Sequence, residues 1–207
     1  MIATRSSCLY ILSVLVMIFC SCGRKTATEA EIQAYASDPS NGLIQVDSIH
    51  GLKIEVQNRP VSLIAAQELR GQTVQNDSTL KEATKKFSQN LYFNLNLSVG
   101  DKDPLLYSGS MQRFSALLQT LAFQMDHFVF LTTSEKDTIP VGDYVYPRLY
   151  GMGSGSSMLF AFTRDSLKWE KTEWVDFHLQ EFGMNTGNRK YWFKKSDLED
   201  VPDSASY

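Results

Sequence analysis

The sequence predicts an α+β, β-rich fold, in which a mainly antiparallel sheet or sandwich packs against one strong amphipathic helix. From Leu91 to Val99, apolar and polar residues alternate at every position, which is typical of a half-buried strand. At about 108–125, apolar residues recur every three or four positions, which predicts a helix with one apolar face. Strand candidates outnumber helix candidates and their order is mixed, so we expect the helix to cover an antiparallel sheet.

The other elements follow from local patterns along the chain. A short helix at 29–36 would be marginal on its own. Aromatic and β-branched residues between turn signals predict further strands at 43–49, 52–57, 127–133, 143–150, 157–164, 173–182 and 190–195. Two weaker helices are predicted at 62–70 and 79–89. The residues at 185–188, Asn-Thr-Gly-Asn, are typical of a hairpin turn and join the last two strands.

The amino-terminal segment has the layout of an export signal. Arg5 is followed by the apolar run Leu9–Phe19, in which Ser13 is the only polar residue. As a helix this run would rise roughly 16 Å, about half of a ~30 Å hydrocarbon core. A cleaved signal is therefore favoured over a membrane span. A signal peptidase needs a small residue before its cut, and Ser21 stands directly before Cys22.

Phe19-Cys20-Ser21-Cys22 resembles the lipobox of bacterial lipoproteins, with Phe19 and Cys20 at positions that more often hold leucine and a small residue. The resemblance covers residues 1–22. It implies that Cys22 is diacylated, that the chain is cut before it, and that the new amino end is acylated again. An ordinary cleaved signal and a retained anchor are the alternatives. Two or more acyl chains hold a protein stably on a membrane, so the membrane is the first expected partner.

The resemblance also implies a place in the cell envelope. Gly23 is not the aspartate that retains some lipoproteins in the inner membrane, and Arg24-Lys25 is unlike the acidic run that directs others to the surface. The expected location is therefore the outer membrane, facing the periplasm. A fainter resemblance, to uncharacterised envelope lipoproteins of Gram-negative bacteria, rests on Asn41-Gly42-Leu43, Asn58-Arg59-Pro60, Gln67-Glu68-Leu69 and the stretch Phe193–Pro202. That likeness implies no particular activity.

We expect three segments in this chain. Residues 1–21 are a lipoprotein signal peptide, residues 22–41 a lipidated amino terminus and flexible tether rich in small polar residues, and residues 42–207 a single globular domain. Cysteines occur only at positions 8, 20 and 22. The processed chain would keep one of them, so we expect no disulfide, no metal site and no cofactor.

The charge of the processed chain argues against a nucleic-acid partner. Loss of residues 1–21 leaves 19 Lys and Arg against 23 Asp and Glu. The basic residues are scattered and form no cluster on a predicted helix, whereas a phosphate-binding surface requires one.

No motif in the sequence predicts a catalytic residue. The glycine-rich stretch 151–157 lacks the lysine of a P-loop and precedes a strand rather than a helix, so it favours a hairpin connection. His50, His127 and His178 are isolated from one another. The carboxylates at 101 and 103 lack the glycine and distal glutamate of a calcium loop. We therefore expect no enzymatic activity.

Aromatic residues late in the chain are candidates for a binding face, although packing within a sandwich would also use them. The candidates are Tyr144, Tyr146, Trp169, Trp174 and Trp192. Two functions are compatible with these observations. The first is a non-enzymatic lipoprotein that docks on another envelope component, such as part of a secretion or surface-assembly machine. The alternative is a lipoprotein that binds a glycan or small ligand through these aromatic residues.

Five triplets of Asp, then Ser or Thr, then an apolar residue or Thr resemble acceptors of periplasmic O-glycosylation. Their hydroxyl residues are Ser48, Ser78, Thr138, Ser166 and Ser204. Random order at this composition would give roughly 0.8 such triplets. Asp-Ser and Asp-Thr also favour turns through hydrogen bonds from side chain to backbone. Glycosylation and turn formation both remain explanations of the excess.

Overall fold

Two antiparallel sheets lie face to face in the described part of the chain, so the predicted β-rich α+β class is confirmed. The computed structural model describes residues 26–70, 77–147 and 154–204. Within these ranges, no helix has both the length and the apolar character needed to cross a membrane. The predicted signal peptide and Cys22 lie outside the described residues.

Strands and helices are interspersed along the described part of the chain. The strands are β1 (Thr26–Ala27), β2 (Ile44–Ile49), β3 (Leu52–Asn58), β4 (Asn90–Ser98), β5 (Val129–Thr133), β6 (Thr138–Pro140), β7 (Asp143–Val145), β8 (Ser156–Thr163), β9 (Trp174–Leu179), β10 (Arg189–Lys194) and β11 (Asp203–Ser204). The helices are α1 (Glu29–Ser37), α2 (Val61–Leu69), α3 (Asp77–Phe87), α4 (Met111–Phe123), α5 (Ser166–Lys171) and α6 (Lys195–Glu199).

The two large sheets have five and four strands. Their orders are β2-β3-β4-β8-β7 and β10-β9-β5-β6, and every neighbouring pair in them is antiparallel. His50 and Gly51 connect β2 to β3 with φ values of 51° and 83°. Positive φ at both positions is what a type I′ hairpin turn requires. A separate parallel pair joins β1 to β11, with Thr26 opposite Asp203.

Phenylalanine rings from both sheets fill the space between them. Phe93 of β4 is fully buried. Its ring centroid lies 5.6 Å from that of Phe177 in β9 and 5.1 Å from that of Phe193 in β10. Phe160 of β8 lies 6.1 Å from Phe177. Because these contacts cross from one sheet to the other, the architecture is the sandwich form of the predicted fold.

The strong amphipathic helix predicted at about 108–125 is present as α4. It begins after Ser110, whose hydroxyl accepts a backbone N–H from the first turn. Leu117 and Leu121 are buried in the core of the sandwich. Met111, at the start of the predicted apolar face, is 77% exposed. The carboxyl-terminal part of the apolar face therefore covers the core, and its first turn lies in solvent.

Residues 26–41 differ from the predicted flexible tether, because they fold against the sandwich. Ile32 and Ala36 of α1 are buried. The side chain of Gln57, in β3, donates a hydrogen bond of 2.7 Å to the carbonyl of Ala36. Packing on the rest of the domain thus stabilises a short helix that would be marginal alone. The folded domain includes these residues and does not begin at residue 42.

The loop between β9 and β10 is organised around one carboxylate. Glu181 accepts hydrogen bonds from the backbone N–H groups of Gly183, Asn185 and Gly187, at 2.6–2.9 Å, and from the hydroxyl of Thr186 at 3.1 Å. Burial raises the pKa of Glu181, but these four donors together lower it by more, so the pKa lies below its ordinary value. The predicted turn at 185–188 therefore depends on a residue outside it.

Replacing Glu181 with glutamine is expected to lower the free energy of unfolding by about 1–3 kcal/mol near neutral pH, because the amide keeps only one acceptor oxygen. Since the pKa is lowered in the folded state, the contribution of the carboxylate is complete above its unfolded-state pKa. It is lost as the pH falls through the folded-state pKa. Thermal melts of Glu181→Gln and wild type should therefore converge as the pH is lowered from about 7 to about 3. Glu170→Gln, at an exposed position, is the control. A difference in melting temperature between Glu181→Gln and wild type that stayed constant with pH would contradict this prediction.

Candidate functional site

A cleft of about 960 Å³ opens at one end of the sandwich, where the end of β3 and the start of β4 meet α3, α5 and α6. Clefts that bind small molecules commonly enclose about 300–1,000 Å³. The lining residues that matter for its chemistry are Arg59, Lys81, Lys85, Arg164, Trp169 and Glu199. These side chains come from four separate stretches of the chain, so the fold brings them together.

Arg59 enters the cleft directly after β3. Its backbone N–H donates to the carbonyl of Tyr92 at 2.8 Å, which fixes the chain as it leaves the sheet. Its guanidinium donates to Oε1 of Gln33 at 2.8 Å and forms no ion pair with any described residue. Burial lowers the pKa of Arg59, although Glu29 acts in the opposite direction. Arginine stays protonated in proteins, so the cleft contains a half-buried positive charge.

Arg164 supplies a second half-buried positive charge beside an indole ring. Its Nε and Nη2 both donate to the carbonyl of Ser88, at 3.0 and 2.6 Å. The guanidinium lies 5.3 Å from the ring of Trp169, within the range of a cation–π contact. Burial lowers the pKa of Arg164, and Glu199 opposes that shift. Within the described ranges Arg164, like Arg59, has no ion pair.

The remaining charges of the cleft make it electropositive. Lys81 and Lys85 lie one turn apart on α3, and both are exposed. Glu199 is the one carboxylate among the described lining residues. It accepts a hydrogen bond of 2.8 Å from Nε1 of Trp169. Four positive charges thus face a single negative charge that already has a partner.

Apolar side chains form another part of the cleft wall. Pro60, Leu91, Leu198 and Val201 line it beside the aromatic rings. A ligand that fits both parts of the wall would carry a negative group next to an apolar body. The arrangement can bind such a ligand by charge and by burial of apolar surface.

The five predicted binding aromatics lie in three different places. Tyr144 stacks on Phe160 at 5.4 Å, and its hydroxyl accepts the backbone N–H of residue 125 at 3.2 Å. Tyr146 packs against the core and shares a 3.2 Å hydrogen bond with the hydroxyl of residue 156. These two tyrosines have the packing role. Trp169 lines the cleft, and Trp174 and Trp192 lie elsewhere, on the outer face of the four-stranded sheet.

Three of the predicted O-glycosylation acceptors have described side chains, and all three are exposed: Ser48 in β2, Ser78 in α3 and Thr138 in β6. Ser166 begins α5 and Ser204 ends β11. The backbone N–H of Ser48 donates to Oδ1 of Asp47 at 2.7 Å. Local bonding of this kind is the alternative explanation of the Asp-Ser pairs.

The other motifs have structural roles where they are described. Gly155 lies so close to β4 that a Cβ atom would be 2.5 Å from the carbonyl oxygen of Leu97, whereas residues 151–153 lie outside the described ranges. Oδ1 of Asp103 accepts hydrogen bonds from the backbone N–H of Leu105 and the hydroxyl of Ser156, both at 2.9 Å. Among the described residues, no three His, Cys, Asp or Glu side chains are grouped as metal ligands.

The cationic cleft was not predicted from the sequence. Apart from Lys81 and Lys85 on one helix, its charged residues lie far apart, at 59, 164 and 199, so no local motif contains the site. Lys85 and Lys86 are neighbours within the helix predicted at 79–89, but of these two only Lys85 lines the cleft. No family model, curated protein or solved structure matches this chain.

Proposed function

We propose that this protein is a non-enzymatic, lipid-anchored binding protein of the bacterial cell envelope, and that its cleft holds an anionic ligand with an apolar part. The observation that carries the proposal is the charge of the cleft. Arg59 and Arg164 are half-buried there without an ion pair in the described part of the chain. This function corresponds to the small-ligand alternative in the sequence interpretation.

The physical reason is the cost of partly burying a charge without an opposite charge beside it. Moving a guanidinium out of water weakens its solvation, and an anion within hydrogen-bonding distance restores part of that loss. Charge-assisted hydrogen bonds to arginine are stronger than those between neutral groups. Lys81 and Lys85, at the exposed side of the cleft, would attract the ligand on approach. The apolar wall would then bury the rest of the ligand.

The lipid anchor is the second part of the proposal and rests on residues 1–22. The apolar run and Phe19-Cys20-Ser21-Cys22 support export, cleavage and acylation at Cys22. Gly23 and Arg24-Lys25 support the outer membrane, with the domain facing the periplasm. Neutral hexose units on the Asp-Ser and Asp-Thr hydroxyls are a further proposed modification.

Docking on another envelope protein is the second candidate function. Leu106, Tyr107 and Met111 are 60%, 57% and 77% exposed and lie close together in sequence. Large apolar side chains exposed together are a feature of protein interfaces. A pull-down of the tagged, lipidated protein from solubilised membranes tests this function. A partner captured by wild type and lost in Met111→Ser would support it.

The cleft is tested by calorimetric titration of the processed chain with hexyl phosphate and with 1-hexanol. We expect hexyl phosphate to bind and the uncharged alcohol to bind far more weakly. In the double variant Lys81→Gln/Lys85→Gln the affinity for hexyl phosphate should fall by about tenfold, since an exposed cation contributes up to about 1 kcal/mol. Lys86→Gln is the matched control, because Lys86 lies on the same helix and does not line the cleft.

Two results would contradict the proposed function. Equal affinity for hexyl phosphate and 1-hexanol would mean that the positive charges do not select the ligand. An equal loss of affinity in Lys86→Gln would mean that the effect comes from overall charge and not from the cleft.

A further inference from the structure

The outer face of the four-stranded sheet carries aromatic rings around a buried carboxylate, and none of its residues lines the cleft. We call it the aromatic face and define it by Phe130, Trp174, Asp176, His178, Lys190 and Trp192. Trp192 stands opposite Asp176, and Phe130 stands opposite His178. Because alternate residues of a strand point to the same side, all six share one face.

The aliphatic side chains of these strands lie on one side only, and that core side also contains aromatic rings such as Phe177 and Phe193. The aliphatic residues that face the core are Val129, Leu131, Ile139, Val175 and Leu179. The described apolar residues on the other side are aromatic rings and Pro140. Trp192 is 49% exposed. A surface used for apolar protein docking would include aliphatic side chains, so the segregation points to a ligand that stacks on rings.

The hydrogen-bonding groups of the aromatic face lie among these rings. Asp176 is only 1% exposed. Its Oδ2 is 2.8 Å from Nζ of Lys190, and its Oδ1 is buried with no hydrogen-bond partner in the described part of the chain. A buried acceptor without a donor is costly, so a hydroxyl that reached Oδ1 would gain a favourable bond. Lys190 is exposed, and its Nζ pairs with this carboxylate from the solvent side.

The rings lie at successive outward positions along the strands, and we call each set of outward residues paired across the sheet a level. His178 stacks on Phe130, with centroids 4.5 Å apart, and its Nε2 lies 2.8 Å from the hydroxyl of Thr132. Trp192 lies at the next level and Trp174 at the one after it. Outward positions of one strand are about 6.6 Å apart. The aromatic face therefore offers three consecutive levels to an extended ligand.

We propose that the aromatic face binds a chain of pyranose sugars. The C–H face of a sugar ring is apolar and stacks on an aromatic ring, and its hydroxyl groups both donate and accept hydrogen bonds. Donation to Oδ1 of Asp176 and acceptance from Nζ of Lys190 use the two polar groups beside Trp174 and Trp192. A nucleic acid would bring phosphates close to the carboxylate of Asp176, which disfavours that ligand.

The test is calorimetric titration of the processed chain with neutral hexasaccharides: the β-1,4-linked oligomers of glucose, mannose, xylose and N-acetylglucosamine, and the α-1,4-linked oligomer of glucose. We expect at least one to bind. Trp192→Ala should weaken that binding by about tenfold or more, because central aromatic residues dominate such contacts. Trp192→Tyr should restore part of it. Tyr107→Ala, at another exposed aromatic residue, is the matched control and should bind like wild type.

Trp192 is half-exposed, so its replacement is expected to leave the fold intact, and thermal melts of each variant check this. The inference is overturned if no hexasaccharide binds at millimolar concentration. It is equally overturned if binding is unchanged in Trp192→Ala and in Trp174→Ala, or if a single-stranded oligonucleotide binds this face and no sugar does. These results are independent of the titration with hexyl phosphate, which reports on the cleft.

Discussion

Replacing Phe93 with alanine is expected to lower the free energy of unfolding by about 3–5 kcal/mol. The ring is fully buried and lies between the two sheets, where it contacts Phe162, Phe177 and Phe193. Truncation removes the apolar surface that both sheets bury, and the strands cannot collapse fully around the cavity. Because domains are stable by only about 5–15 kcal/mol, this loss is a large part of the total.

Urea denaturation of Phe93→Ala and wild type measures the effect. Phe123→Ala is the matched control, because Phe123 is 67% exposed at the end of α4. Its replacement should change the free energy of unfolding by no more than about 0.5 kcal/mol. Equal losses in the two variants would mean that the sheets do not share one core.

Replacing Cys22 with serine is expected to release the protein from membranes completely and to leave the domain folded. The acyl chains are proposed to be the only attachment, and two or more chains hold a protein stably. The core is formed by residues that follow Cys22 in the chain. Fractionation in high salt, with a thermal melt of the released protein, measures both parts. Cys20→Ser is the control and should remain with the membrane.

Intact mass spectrometry of protein from its native host gives a second readout. The wild-type mass should exceed the polypeptide from residue 22 onward by the acyl chains, and Cys22→Ser should lack that increment. A variant that still sediments in high salt without the acyl mass would show that the lipid is not the anchor. The same spectra report on the proposed glycosylation, since hexose-sized increments would be absent if the Asp-Ser and Asp-Thr pairs only form turns.

The elements with long, regular patterns were predicted well from the sequence. The alternation of residues 91–99 corresponds to β4, which spans Asn90–Ser98, and the helix at about 108–125 corresponds to α4. Both have enough residues for the periodicity to be recognised. β6 was not predicted, because three residues are too few to show a period.

The amino-terminal helix was underestimated for a different reason. Only Ile32 and Tyr35 are large apolar residues in this stretch, so the sequence indicates a weak helix. Its stability comes from contacts distant in sequence, such as the bond from Gln57 to the carbonyl of Ala36 and the packing of Ile32 with Leu63. Long-range contacts of this kind leave no local signal.

The candidate sites show the same limit. Trp174 and Trp192 were identified as possible binding residues from composition, but their common face follows from the register of β9 and β10. Asp176 and Lys190, between them, have no distinguishing sequence signal. The arginines of the cleft, Arg59 and Arg164, are more than one hundred positions apart.

The parallel pairing of β1 with β11 has a mechanical consequence for an anchored protein. A tension applied through the amino end would reach Thr26 before it reached the sandwich, and β11 would resist it from the opposite end of the chain. β1 continues into α1 and β11 follows α6, so this pair holds the amino-terminal and carboxyl-terminal segments of the domain together. Drag on a domain held by its amino end would therefore load the β1–β11 pair first. Helix α1 would stay packed on the sheet until the hydrogen bonds of that pair broke.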